Sequence, residues 1–155
     1  MKNKNKGITL IELVVVLSLL LIIFSIGTFG YGYYNKVKND MLINNYSEDI
    51  VDILIYSKEY CHHKDASLEL VYENKNNGIT IEIQDKKDKL LSLQRGDDIY
   101  FCDVNGIKMD TKNIISINQR GVITPTTIYL KNGEGDINCI SIAVGSNRIS
   151  YRGEL

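Results

Sequence analysis

Between residues 8 and 29 the chain carries a single charge, Glu12, in a nearly unbroken run of Leu, Ile, Val and Phe. As a helix rising about 1.5 Å per residue, this run extends about 33 Å, the thickness of a bilayer core. A stretch this long and apolar must be covered by lipid or by protein, which constrains the fold more than any other feature. The chain has 155 residues, so beyond this segment there is room for one domain. Lys2, Lys4 and Lys6 stand before the run and favour keeping that flank in the cytoplasm, with the rest of the chain outside.

Three kinds of segment share this pattern. A secretory signal peptide would be cut after its apolar core, where Ser25-Ile26-Gly27 offers small residues. A plain membrane anchor would not be cut. Neither accounts for Glu12, because a carboxylate within a membrane helix costs about 2.5–3.5 kcal/mol on insertion scales and calls for a partner.

The run Lys6-Gly7-Ile8-Thr9-Leu10-Ile11-Glu12-Leu13 resembles the prepilin cleavage and methylation motif of type IV pilins and of the pseudopilins of secretion and competence systems. The resemblance implies processing by a prepilin peptidase and N-methyltransferase, with Gly7 and Ile8 flanking the cut bond and residues 1–7 forming the leader. Ile8 stands where phenylalanine is commoner. Glu12 becomes the fifth mature residue, the position of the family's glutamate, which neutralises the terminal amine of a neighbouring subunit during assembly. The other partners implied are the membrane, further pilin subunits and an assembly platform. Loss of three lysines with the leader takes the formal charge from −1 to −4.

Gly27, Gly30 and Gly32 interrupt the end of the run, and Pro125 is the only proline. The glycines suit local melting or close helix packing, and equally the small residues of an anchor. Residues 8–34 are therefore expected to form the membrane and filament-core helix, and 35–155 the globular domain. Over 35–60, Val37, Met41, Tyr46, Ile50, Ile53, Leu54 and Ser57 recur at helical spacing, which predicts an amphipathic helix with one buried stripe. From 67 to 152 the period falls to two, as in Leu68, Leu70 and Tyr72 or Ile79, Ile81 and Ile83. Turns are expected at 76–78 and 85–88, and further strands near 91–93, 99–102, 114–118, 122–123, 127–130, 137–144 and 148–151. The fold class is α+β: a long N-terminal α-helix packed on an antiparallel β domain of about eight short strands. The order of strands and breaks from 114 onward, with Gly145-Ser146-Asn147 before Arg148-Ile149, resembles the minor pseudopilins and pilins of the GspH/FimT type and their competence relatives in Gram-positive bacteria. Asn147 stands where that group usually has glycine before the arginine.

The remaining chemistry is sparse. Cys61, Cys102 and Cys139 fit either one disulfide plus a thiol or three buried thiols. Cys61-His62-His63 lacks defined metal spacing, and the histidines suit a helix C-terminus, where imidazolium complements the dipole. Asp103-Val104-Asn105-Gly106 with Asp110, and Gly133-Glu134-Gly135-Asp136, are oxygen-rich and read as polar turns; neither has calcium-loop spacing, although some pseudopilins hold calcium in a β-loop. Nothing supports a catalytic constellation or a cofactor. Arg120, Lys131, Arg148 and Arg152 make a small cationic footprint on an acidic protein, with Glu154 diluting it. The expected function is a structural, non-enzymatic minor pilin or pseudopilin. A DNA-binding pilin for natural transformation and a secreted β domain with an ordinary signal peptide are the alternatives.

Overall fold

A computed structural model of the chain describes residues 9–75, 78–85, 88–96, 99–144 and 148–152, with only the backbone at residues 28 and 29. The Gly7–Ile8 bond, most of the turn residues expected at 76–78, 85–88 and 145–147, and Glu154 lie outside the described residues. Two compact units emerge, Met1–Lys38 and Asn39–Leu155. One helix, α1 (Leu10–Lys64), contributes to both.

In the second unit the helix packs on two four-stranded antiparallel sheets. The strands are β1 (Leu68–Lys75), β2 (Gly78–Asp85), β3 (Asp88–Arg95), β4 (Tyr100–Cys102), β5 (Asn113–Ile117), β6 (Thr126–Lys131), β7 (Ile137–Ile142) and β8 (Ile149–Arg152). The first sheet has the order β3-β2-β1-β5 and the second β4-β6-β7-β8. This is the expected α+β arrangement, divided into two sheets. Residues 122–123 form no strand: Ile123 makes an isolated bridge to Ile117 as the chain turns back along β5.

Alternation sets which face is buried. Leu70 lies opposite Ile83 and Ile115, so these three side chains share one face of the first sheet. Ile128 and Ile140 do the same on the second sheet. All five are buried, together with Ile43, Tyr46, Ile50, Leu54 and Cys61 of α1. Each fully buried Leu or Ile contributes about 1.5–3 kcal/mol relative to exposure. The helical stripe differs from expectation at Met41, which is 61% exposed. It stands two residues, about 200°, from Ile43, so a stripe running through Ile43, Ser47, Ile50 and Leu54 leaves it on the opposite side. Val37 and Ile53 are half-buried. Ser47 and Ser57 are buried without an orphan hydroxyl, because each donates back to a carbonyl four residues earlier, at 2.8 and 2.7 Å.

Polar side chains join the layers. The Asn74 amide donates to the carbonyls of Phe101 at 2.8 Å and Met109 at 2.7 Å, and its oxygen accepts the Phe101 N–H at 2.8 Å. One side chain on β1 thus fixes β4 and the segment after it. Asn138 on β7 donates to Asn44 and Ser47 of the helix and to Tyr151 of β8, at 3.0, 3.3 and 2.9 Å. The Tyr151 hydroxyl also donates to Asn44.

Three loops are closed in the same way, by an Asx residue followed three positions later by a glycine with positive φ. They begin at Asp103, Asn118 and Asn132, and their glycines are Gly106, Gly121 and Gly135. In each, the side-chain oxygen of the first residue accepts backbone N–H groups two and four residues on. Gly121 has a second reason for being glycine, since a Cβ there would stand 2.8 Å from the Lys58 carbonyl oxygen of the helix. Its N–H bond to Asn118 and its φ of 70° leave no room to swing away. Hydrogen bonding from the Ile107 N–H holds the Asp103 carboxyl below the usual carboxylate range. Its contribution is therefore present at neutral pH and is lost as pH falls through that lowered value.

The helix ends with Asp65 at φ 51° and the Ala66 N–H bonded to the Cys61 carbonyl at 3.3 Å, a left-handed C-terminal stop. Asparagine tolerates this conformation better than aspartate and removes a negative charge from the negative end of the helix dipole. Asp65→Asn should raise stability by about 0.5–1 kcal/mol, a gain of roughly 2–4 °C in Tm. Thermal unfolding of the detergent-solubilised chain measures it, and an unchanged or lowered Tm contradicts this account of the stop.

Candidate processing and assembly segment

The first unit begins its helix on Thr9. The Thr9 carbonyl accepts the Leu13 N–H at 3.1 Å, and its hydroxyl accepts the Glu12 N–H at 3.3 Å. This is an N-cap, and Thr9 with Glu12 has the T-x-x-E spacing of a capping box. That signal was open to sequence reading, which placed Glu12 in the motif and passed over Thr9. Glu12 stands in the first turn with its carboxylate exposed. Among the described residues no hydrogen bond or ion pair reaches that carboxylate. Ser18, the next polar side chain, satisfies itself by donating to the Val15 carbonyl at 2.8 Å.

Every side chain from Leu10 to Ile26 is exposed, and the helix is long and apolar enough to cross a membrane. A Cβ at Gly27, Gly30 or Gly32 would meet nothing within 4 Å, so no close approach among the described residues calls for glycine there. Two magnitudes decide how Glu12 should be read. The helix dipole favours a carboxylate in the first turn by about 0.3–1 kcal/mol, whereas its membrane cost is about 2.5–3.5 kcal/mol. Capping alone leaves most of that cost unmet.

Residues 2–28 match the family model of the prokaryotic N-terminal methylation motif. The match takes in Gly7, Ile8 and Glu12, and it supports a type IV pilin-like protein anchored in a membrane by its apolar helix. No curated protein and no solved structure matches the chain.

The other groups singled out in the sequence are scattered. Cys61 points into the core and donates weakly to the Ile117 carbonyl at 4.0 Å, while His62 and His63 are exposed in the last helical turn. Burial pushes the Cys61 and Cys102 thiols up. All three cysteines are buried free thiols. Cys102 and Cys139 lie on either side of Tyr129 in the strand register, about 9.6 Å apart at two strand spacings and beyond disulfide reach. Among the described residues no three His, Cys, Asp or Glu side chains are grouped to hold a metal. The oxygens of Asp103 and Asn132 are engaged in closing their own loops. Arg120 belongs to the turn after β5, whereas Lys131 and Arg152 lie on β6 and β8 of the other sheet. Arg148 stands just before β8, its carbonyl accepting the Ala143 N–H at 3.0 Å.

Proposed function

We propose that the chain is a structural, non-enzymatic filament subunit, a minor pilin or pseudopilin of the GspH/FimT type. A prepilin peptidase and N-methyltransferase would cut between Gly7 and Ile8. The apolar helix would hold the subunit in the membrane until an assembly platform passes it to the filament, leaving the β domain at the cell surface. The observation that carries this reading is Glu12, a carboxylate in the first turn of an exposed apolar helix with no partner among the described residues. A terminal amine freed by cutting at Ile8 is a cation created at the right end of a neighbouring copy. In a low-dielectric core that pairing rewards one axial register over others.

N-terminal sequencing and intact mass of the protein from membranes test the processing step. The expected mature chain begins at Ile8 and carries one methyl group. A chain beginning near residue 28 would identify an ordinary signal peptide and end the pilin reading.

A further inference from the structure

Beyond the apolar run, the first unit exposes three aromatic side chains close together: Tyr31, Tyr33 and Tyr34, at 70, 73 and 64%. They are not spare core residues, because no part of the described chain covers them. At about 100° per residue they span an arc of about 160° around the helix, wider than the narrow seam that a single packed helix covers. Lys36 and Lys38 follow, also exposed. From Leu10 to Gly30 the helix rises about 32 Å, and Lys36 to Lys38 stand about 8–10 Å beyond Tyr31. Apolar side chains, then tyrosines, then lysines reproduce the profile of one bilayer half: hydrocarbon, interface, headgroups.

We propose that Tyr31, Tyr33 and Tyr34 are an interfacial anchor that fixes the depth of the helix in the membrane. Their partner is the phospholipid interface, where the rings pack on acyl chains and the hydroxyls reach the wet glycerol and carbonyl layer. Lys36 and Lys38 supply the complementary charge for anionic headgroups just outside it. The anchor sets where the membrane surface crosses the chain. This rests on the membrane-anchored reading above and adds its depth and its lipid partner.

The test uses the full chain in vesicles of phosphatidylcholine and phosphatidylglycerol, with single cysteines introduced as Ile22→Cys, Ile26→Cys, Gly30→Cys, Asn35→Cys and Lys38→Cys. A membrane-impermeant maleimide reads which positions face water, against the background of the three buried native thiols. Protection through residue 30 and labelling from residue 35 are expected. Replacing all three tyrosines with alanine should move this boundary by a helical turn or more, and replacing them with tryptophan should restore it. A boundary unmoved by the alanines overturns the anchor. So does one more than a turn away from residues 31–34 while Ile22→Cys and Ile26→Cys stay protected, although the membrane span itself then stands. Labelling at residues 22 and 26 removes the span and the anchor together. A boundary that shifts with protein-to-lipid ratio would show neighbouring copies covering the tyrosines and would also overturn the proposal.

Discussion

Glu12→Val should leave membrane insertion and cleavage at Gly7 intact while lowering incorporation into filaments at least about tenfold. Removing one partner of a buried ion pair typically costs about 3–5 kcal/mol, because the other charge is left without compensation. The same substitution removes an insertion cost of about 2.5–3.5 kcal/mol, so poor anchoring cannot explain a loss of assembly. Lost capping accounts for little, since Thr9 still accepts the backbone N–H of residue 12. The ratio of variant in sheared surface fractions to variant in membranes is the measurement. Normal incorporation would refute the assembly role of Glu12, whatever happens at the cleavage site.

Asn74→Asp should destabilise the β domain by about 2–4 kcal/mol at neutral pH, more than Asn74→Ala. The native amide donates to two carbonyls and accepts one N–H. Alanine leaves these groups without their partner, at about 1–3 kcal/mol. A carboxylate keeps the acceptor for Phe101 but sets a negative oxygen against both carbonyls. The folded state therefore raises the introduced carboxyl above its unfolded value near 4. Stability is retained below that unfolded value, falls as pH rises through it, and levels off above the folded value. Denaturant unfolding of wild type and both variants between pH 4 and 8 shows the pattern. A pH-independent difference between Asn74→Asp and wild type would mean that the amide is not a structural donor.

The helix and strands were legible because each follows one strong period. Ile79, Ile81 and Ile83 alternate in sequence and share a buried face in β2. The stripe from Tyr46 through Ile50 and Leu54 to Ser57 is equally regular. Met41 was misplaced because one apolar residue at the edge of a pattern cannot show on which side the stripe continues, and Ile43 settled it. The division into two sheets was not legible. It depends on tertiary contacts such as the Asn74 clip, and a single asparagine before a turn looks like turn chemistry. In the N-terminal segment the motif stood out because glycine, glutamate and apolar run fall together. Thr9 was missed because capping and processing signals overlap in the same few residues.

The Asx-closed loops also bear on chemical ageing. Asparagine followed by glycine deamidates when the next backbone nitrogen attacks the side-chain carbonyl, and asparagine is among the thermolabile residues. Two such pairs occur among the described residues, Asn105-Gly106 and Asn132-Gly133. The Asn132 oxygen accepts three backbone N–H groups and its amide donates to Asp136, so four bonds fix the orientation of this side chain within its loop. The Asn105 amide has only a 3.5 Å contact with Asp103. Both pairs are thus restrained by the fold against this ageing reaction, Asn132 through its side chain and Asn105 through the Gly106 nitrogen that would attack it, which bonds the Asp103 carbonyl at 2.9 Å.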